Sequence, residues 1–316
     1  MEPFPLRNLE VLTMGRSSID LYPEQTGVPL SGVTSFHKAI GGSPTNVAVA
    51  AARLGRRAAL INKVGNDAFG ITIREELKKF GVHDGFVTTH PDLLTPVVFC
   101  ELLPPEEPSL WFYREPRGPE MDLTIDDLPI TAITEAPLFW TAGSRFAGEP
   151  SRGTTMHALR ERGKSGHTVL DLDYRAMFWR SPEEASLHIA AALRYATVAV
   201  GNREECGIAV GTADPNCAAD LLLESGVELA IVKLGADGVL VATADMRETV
   251  APVRVDVVCG LGAGDAFGGS LCHGLLEGWD PIRIVRYANA AGAIVAGRLM
   301  CSEAMPTLAE IEESLP

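Results

Sequence analysis

The stretch Gly260-Leu261-Gly262-Ala263-Gly264-Asp265-Ala266-Phe267 is a glycine-rich turn that leads directly into an apolar helical pattern. Glycine lets the backbone turn tightly and bring its N–H groups close to an anion, and the positive end of the following helix adds to that attraction. Asp265 has two interpretations here, a base that takes a proton from a hydroxyl and a residue that caps the helix. The turn alone favours neither. Two nucleotide-binding patterns do not fit, because GxxxxGK[ST] is absent and Asp265 stands where GxGxxG needs glycine.

Composition narrows the class of protein. The chain has 316 residues and a formal net charge of −14, from 27 Lys and Arg against 41 Asp and Glu. This charge disfavours nucleic acid or an anionic membrane as a partner. The six cysteines lack CxxC spacing, the seven histidines form no HxxxH cluster, and no segment approaches the ~20 apolar residues of a membrane span. We therefore expect a cytoplasmic protein whose cysteines are reduced thiols.

Strand-like and helix-like segments alternate along most of the chain. This alternation predicts an α/β fold in which helices cover a mainly parallel sheet. The predicted strands are Val11–Asp20, Ala58–Val64, Thr168–Leu172, Thr197–Val200 and Leu229–Leu234. The first predicted helix starts at Ser43-Pro44 and ends at Gly55. Further helices are predicted over Phe69–Phe80, Ala266–Glu277 and Ile282–Leu299, and a short one after Pro306.

Two segments interrupt the alternation. Residues 21–38 are rich in Gly, Pro, Ser and Thr, and residues 96–117 read as a hairpin with a turn at Pro104–Pro108. We expect a single domain over residues 1–316, with these segments inserted as a small β lid. Ordinary surface excursions are the alternative.

Five motifs occur in order, and together they resemble the ribokinase family, also called the PfkB-type carbohydrate kinases. They are Gly41-Gly42-Ser43-Pro44-Thr45-Asn46-Val47-Ala48, Val64-Gly65-Asn66-Asp67-Ala68-Phe69-Gly70, Asn202-Arg203-Glu204-Glu205, Lys233-Leu234-Gly235-Ala236-Asp237-Gly238 and Gly262-Ala263-Gly264-Asp265. The resemblance covers essentially the whole chain. It implies a ribokinase-like three-layer α/β/α sandwich with a small β-sheet lid, use of ATP and Mg²⁺, and pairing of two copies into a homodimer through the lid.

The resemblance implies roles for residues around the transferred phosphoryl group. Asp265 would accept the hydroxyl proton, and the backbone around Gly262, Ala263 and Gly264 would bind the phosphoryl group. Asn202 and Glu205 match an Asn-x-x-Glu element that positions Mg²⁺ through water, and the same spacing also suits an ordinary helix start. The residues expected at the nucleotide are Asn202, Lys233, Gly235, Gly238, Gly262, Gly264 and Asn289.

The resemblance also implies a second set of residues, which would bind the hydroxyls of the sugar. Asp20, at the end of the first predicted strand, would accept hydrogen bonds, and Asn46 would both donate and accept. Gly41 and Gly42 would allow the sugar to approach closely. A local backbone contact is the alternative role for Asn46.

Four further residues are expected to bind the carboxylate of a sugar acid. Tyr113, Arg114 and Arg175 match positions where kinases of keto-acid sugars hold the carboxylate. Arg16 lies near the end of the first predicted strand and is expected to join them. The planar guanidinium suits this task because it forms two parallel bonds with a carboxylate. Surface ion pairs are the alternative for the arginines.

The sequence departs from the family at one pair of positions. Where relatives have Asp-Thr beside a monovalent cation, this chain has Cys259-Gly260, which puts activation by potassium in doubt.

The resulting hypothesis is an ATP-dependent kinase that phosphorylates the 6-hydroxyl of a keto sugar acid. The alternatives are a kinase of the same fold that acts on 2-keto-3-deoxygluconate, fructose or ribose, and a catalytically silent sugar-binding regulatory protein. A third, an NAD-dependent oxidoreductase, is disfavoured by the missing dinucleotide pattern.

Overall fold

The computed structural model describes residues 4–25, 27–106 and 108–315. In chain order its strands are β1 (Val11–Met14), β2 (Ser18–Pro23), β3 (Phe36–Gly41), β4 (Ala58–Gly65), β5 (Val87–His90), β6 (Val97–Glu101), β7 (Ser109–Tyr113), β8 (Leu138–Ala142), β9 (His167–Asp171), β10 (Val198–Asn202), β11 (Leu229–Lys233), β12 (Val239–Ala242) and β13 (Arg247–Val250). Its α-helices are α1 (Ser43–Arg53), α2 (Ala68–Lys79), α3 (Ile130–Glu135), α4 (Ser151–Arg162), α5 (Pro182–Leu193), α6 (Arg203–Val210), α7 (Pro215–Glu224), α8 (Ala263–Leu276), α9 (Pro281–Ala296) and α10 (Leu308–Ser314).

Nine of these strands form a central sheet in the order β13-β12-β11-β10-β9-β8-β1-β4-β5. Neighbours from β11 to β5 run parallel, while β12 and β13 join antiparallel at one edge. Alternate side chains enter different cores: Val11 of β1 lies on one face, and Leu12 and Met14 lie on the other. Helices α1, α2, α8, α9 and α10 contribute to the first core and α3–α7 to the second. The predicted three-layer α/β/α sandwich is confirmed.

The remaining four strands form a separate lid sheet in the order β3-β2-β6-β7. Strand β2 is antiparallel to β3 and parallel to β6, and β6 pairs antiparallel with β7 from Val97↔Tyr113 to Glu101↔Ser109. The predicted hairpin is therefore present, and the small β lid that the resemblance implied is confirmed as a sheet of its own.

The first predicted strand, Val11–Asp20, is wrong as one element. The chain leaves the central sheet after Met14 and enters the lid sheet at Ser18, so Asp20 belongs to the lid sheet. An extended pattern reveals strand residues but not which partner strands each half pairs with. The other predicted strands and helices lie close to their predicted bounds.

The turn of the lid hairpin contacts the central domain at the glycine-rich turn. Gly260 N donates to the carbonyl of Pro105 at 2.8 Å. A Cβ atom at position 260 would stand 2.4 Å from the carbonyl oxygen of Glu106, so this close approach requires glycine. This backbone hydrogen bond holds the lid hairpin next to the start of α8.

Within the ranges given above, no helix combines the length and the apolar character that crossing a bilayer requires.

Candidate active site

A cavity of about 450 Å³ lies between the central sheet and the lid sheet. The carboxyl ends of parallel strands deliver side chains to it, as is usual in open α/β sheets. Helices α1 and α8 start at its wall, and the inner face of β7 covers it. Its polar lining includes Arg16, Ser18, Asp20, Asn46, Asp171, Asp173, Arg175, Asn202, Glu205, Lys233 and Asp265.

The anion turn, Leu261–Gly264, opens helix α8 at this cavity. Gly262 is the N-cap of α8 with φ +83°, and a Cβ there would be 2.8 Å from Cys301 Sγ. Both the left-handed conformation and the close contact require glycine. The N–H groups of the first turn have no carbonyl partner within the helix, so this end of α8 favours an anion.

Asp265, in the first turn of α8, is held by a side chain from α1. Its Oδ2 accepts a 2.7 Å hydrogen bond from Asn46 Nδ2. Burial in the cavity raises the pKa of Asp265, and the Asn46 bond opposes that rise. The cap of the helix is Gly262, without a side-chain cap bond. This geometry favours the base over the helix cap for Asp265.

A residue missed by the sequence reasoning fixes Asn46. Ser302 Oγ donates to Asn46 Oδ1 at 2.6 Å and lies 3.0 Å from the carbonyl of Ile40. Because the hydroxyl bond occupies Oδ1, the amide nitrogen of Asn46 is turned to Asp265. Ser302 belongs to the C-terminal stretch, and its contact with Asn46 spans 256 residues of chain. No local pattern reveals such a contact.

Asp20 projects from β2 of the lid sheet into the same cavity. Ser18 Oγ donates to Asp20 Oδ1 at 2.6 Å. Burial raises the pKa of Asp20 to about 6, with the Ser18 bond acting against the rise. Gly41 faces this carboxylate, and Gly42 has φ +98°; a Cβ atom at Gly42 would stand 2.4 Å from the carbonyl oxygen of Arg16. The two glycines therefore let β3 and α1 pack against the residues that present Asp20 and Arg16.

Asp173 joins two of the predicted arginines in the wall of the cavity. Arg16 Nη2 lies 3.3 Å from Asp173 Oδ2, and Arg175 Nε lies 3.2 Å from Oδ1. Ser144 Oγ donates to Oδ2 at 2.5 Å. Burial acts to raise the pKa of Asp173, but the arginines and Ser144 outweigh it and hold the pKa at about 2. The sequence analysis assigned no role to Asp173.

Tyr113 and Arg114 do not line this cavity, which corrects their predicted place. Side chains alternate along β7, so Phe112 faces the cavity while Tyr113 is 67% exposed and packs on Phe99 with ring centroids 5.3 Å apart. Arg114 donates to Glu120 Oε1 at 2.6 Å and lines a neighbouring pocket of about 300 Å³.

Asn202 and Glu205 sit at the start of α6 and both line the cavity. Asn202 N donates to Glu205 Oε2 at 2.6 Å, and Glu205 N donates to Asn202 Oδ1 at 2.9 Å. This reciprocal pair of hydrogen bonds is a capping box. The two residues therefore form an ordinary helix start and also line the cavity. Across the described part of the chain no three His, Cys, Asp or Glu side chains are arranged to bind a metal ion directly. A metal held through water and a ligand's own oxygens fits Glu205 better than direct coordination.

A groove of about 1150 Å³ adjoins the cavity on the other side of the anion turn. Lys233, Gly264 and Glu106 line both spaces, so the two meet at the anion turn. Burial acts to lower the pKa of Lys233, but Glu205, Asp171 and Asp265 outweigh it, so that the pKa is raised and the ammonium is charged. The predicted nucleotide residues Gly235, Gly238 and Asn289 line the groove together with Gly292 and Ala293 of α9.

Comparison with known proteins identifies the family. The model of the pfkB family carbohydrate kinases matches residues 8–308. The chain belongs to this family and is a carbohydrate kinase, not an NAD-dependent oxidoreductase.

Particular members are similar along nearly the whole chain. A 5-dehydro-2-deoxygluconokinase of Clostridium perfringens is 31% identical over 314 residues, covering 97% of this chain and 93% of the relative. A fructokinase double mutant of Vibrio cholerae O395, solved with fructose, ADP and potassium ion bound, is 27% identical with a TM-score of 0.88, and 98% of this chain and 99% of that chain are covered. A fructokinase of Xylella fastidiosa with bound ATP is 25% identical with a TM-score of 0.85, covering 96% and 97%.

Proposed function

We propose that this kinase transfers the γ-phosphoryl group of ATP to the 6-hydroxyl of 5-dehydro-2-deoxy-D-gluconate, a step of myo-inositol breakdown. One observation carries the choice of a sugar acid: Arg16 and Arg175 meet at Asp173 in a cavity whose other charged side chains are mostly carboxylates. A neutral sugar would leave the buried Nε of Arg16, which has no hydrogen-bond partner among the described residues, without a charged acceptor. The relatives named 5-dehydro-2-deoxygluconokinase support the particular acid.

In the proposed reaction Asp265 acts as the base. It accepts the proton of the attacking hydroxyl as the hydroxyl oxygen forms its bond to the γ-phosphorus, while the bond from that phosphorus to the oxygen of ADP breaks. The N–H groups of the anion turn bind the transferred group between cavity and groove. Asp20 and Asn46 are the proposed partners of the sugar hydroxyls, with Gly41 and Gly42 beside them.

The groove is the proposed site of ATP. Lys233 lies where cavity and groove meet and is placed to contact phosphate oxygens, while Gly235, Gly238 and Asn289 line the space for the nucleoside. Asn289 Nδ2 donates to the carbonyl of Ala251 at 3.1 Å, which fixes this part of the groove wall. Mg²⁺ bound to ATP would neutralise phosphate charge, with Glu205 holding one of its waters and Asn202 orienting Glu205.

A substrate screen tests the proposal. ADP release is measured with 5-dehydro-2-deoxygluconate, 2-keto-3-deoxygluconate, fructose and ribose, and the product is located by phosphorus–proton NMR. We expect the highest kcat/KM for the first acid and phosphate on its C6 oxygen. A higher kcat/KM for fructose, the ligand of the similar V. cholerae fructokinase, would reject the proposed substrate.

We further propose one domain over residues 1–316, with lid segments about 21–38 and 96–117 inserted, and a homodimer formed through the lid. The outer lid face is supporting evidence: Phe99 makes edge-to-face contacts with Phe36 and Tyr113, with ring centroids 5.3 Å apart in each pair, and Trp111 is 54% exposed. Exposed aromatic clusters mark interaction surfaces. Light scattering tests this, since Trp111→Ser should shift a dimer toward monomer, whereas a monomeric wild type would reject it. A cytoplasmic location stays a prediction.

A further inference from the structure

Arg16, Asp173 and Arg175 form the part of the cavity wall that we call the acid end. We propose that Asp173 is a positioning residue that holds the two arginines there and limits the positive charge of the acid end. The site would thereby select a sugar with one negative charge, a carboxylate, over a sugar phosphate with two. This inference rests on the proposed function, because it assumes that the anionic group of the substrate lies at the arginines.

The geometry makes Asp173 the common partner of the acid end. The residue is 2% exposed and has φ +25°, a backbone conformation that most side chains avoid. Its Oδ2 faces Arg16 and Ser144, and its Oδ1 faces Arg175. One carboxylate therefore sets the relative position of two guanidiniums that are 159 residues apart (175 − 16).

Both arginines keep donors for a ligand. Arg16 lies with its guanidinium 5.1 Å from the ring centroid of Phe178 and 5.8 Å from that of Phe112, so aromatic rings pack on it. Its buried Nε has no hydrogen-bond partner among the described residues. The side chain of Arg175 is 45% exposed toward the open cavity. Buried donors without acceptors are uncommon, and a carboxylate ligand would supply acceptors.

The charge of the lining argues for a single negative charge. Of the described residues that line the cavity, six are acidic and three are basic: Asp20, Glu106, Asp171, Asp173, Glu205 and Asp265 against Arg16, Arg175 and Lys233. Lys233 also lines the groove proposed for ATP. The ion-paired cluster of Arg16, Arg175 and Asp173 has a formal charge of 2 − 1 = +1. The Arg114–Glu120 ion pair near Arg16 adds no net charge, and the nearby carboxylates of Glu205, Asp265 and Asp171 act on Arg175.

A carboxylate neutralises this charge, whereas a phosphate ester does not fit it as well. A phosphate ester carries about −1.5 to −2 at neutral pH, so part of its charge would stay uncompensated beside the carboxylates. Rejection by like charge is a common source of specificity. Asp173 thus has two connected effects: it orients both donors, and it lowers the positive charge that a dianion would need.

The test variant is Asp173→Asn. Asparagine keeps the shape, tolerates positive φ, and still accepts from Ser144, so the fold is expected to persist. Asp220→Asn is the matched control, because it makes the same change in an exposed ion pair with Arg247 outside both cavity and groove. Kinetics are measured with the keto acid, with fructose, and with fructose 1-phosphate, whose 6-hydroxyl is free; the phosphosugar is scored by kcat/KM or, without turnover, by its inhibition constant.

For Asp173→Asn we expect KM for the acid to rise ~10-fold, more than kcat falls, because the two donors lose their common anchor. We expect the preference for the phosphosugar relative to the acid to rise at least ~10-fold, because the site gains one positive charge. Asp220→Asn should change neither ratio. Unchanged ratios in an Asp173→Asn enzyme with wild-type melting temperature would overturn the inference and leave the proposed function intact.

Two further results separate the cases. A wild-type enzyme without preference for the acid over fructose would overturn the proposed function itself. If Asp173→Asn does not fold, Ser144→Ala replaces it, since this change removes only the hydroxyl that fixes Oδ2. KM for the acid should then rise more than KM for fructose, by ~3-fold. Equal changes for both sugars would show that Asp173 is only structural and would overturn the inference.

Discussion

Asn46 Nδ2 and Asp265 Oδ2 are joined by a 2.7 Å hydrogen bond that connects the first turn of α1 with the first turn of α8, 219 residues later. The bond brings the two halves of the cavity wall together at the proposed base. It also stabilises the ionised form of Asp265, the form that accepts a proton.

Replacement of the base is the first test. Asp265→Asn keeps the size of the side chain but cannot accept a proton from the sugar, so kcat should fall by ~10²–10⁴. Binding of the sugar, followed by calorimetry, should persist. Asp280→Asn is a matched control, because Asp280 caps α9 by accepting from Arg283 N at 3.0 Å and Asn caps equally well. Near-normal turnover in both variants would make Asp265 a helix-start residue.

Loss of the Asn46 bond should move the pH profile. Asn46→Ala removes a donor to the charged form of Asp265, so the pKa of Asp265 should rise further above its ordinary value. Because the ionised carboxylate is the active form, activity is lost as pH falls through this pKa. The acidic limb of the plot of kcat/KM against pH should therefore move to higher pH. If the maximum of kcat/KM falls but its acidic limb stays at the same pH, Asn46 contacts only the sugar and does not affect the pKa of Asp265.

Arg175→Ala tests the acid end directly. We expect kcat/KM for the keto acid to fall by ~30-fold, or about 2 kcal/mol, because one guanidinium that faces the carboxylate is lost. The value for fructose should fall much less. Arg247→Ala removes an exposed arginine of a surface ion pair and serves as the control. Equal losses on both sugars would make Arg175 a structural residue.

The response to ions is the fourth prediction. We expect strict dependence on Mg²⁺, since Glu205 and the phosphates of ATP provide oxygen ligands. We expect a weak response to K⁺, because this chain has Cys259 and Gly260 where the family resemblance implies a pair with a carboxylate. Each salt is titrated at constant ionic strength. Strong activation by K⁺ would contradict this prediction.

The local patterns predicted the fold and much of the cavity lining. The glycine-rich turn, the Asn202–Glu205 pair and the alternation of strands and helices each depend on neighbouring residues, so the sequence alone reveals them. Contacts between distant segments were missed. The bond of Ser302 to Asn46 depends on how the C-terminal stretch packs, and the role of Asp173 depends on Arg16.

The predicted position of the Tyr113 side chain was wrong for a different reason. Side chains on a strand alternate between the two faces, so an assignment that is off by one residue moves a side chain to the opposite face. Phe112 rather than Tyr113 faces the cavity. Only the way the hairpin rests on the central domain decides which of the two points inward.

The backbone bond from Gly260 to the carbonyl of Pro105 has a thermodynamic consequence for the order of binding. It ties the tip of the sheet that covers the sugar to the turn next to the proposed phosphate site. If a bound sugar orders the tip, this contact orders the turn as well, and binding of the sugar would then favour binding of ATP. Linkage makes the effect reciprocal: the factor by which either substrate tightens the other must be the same. Such coupling between the two substrates would pass through a single backbone hydrogen bond.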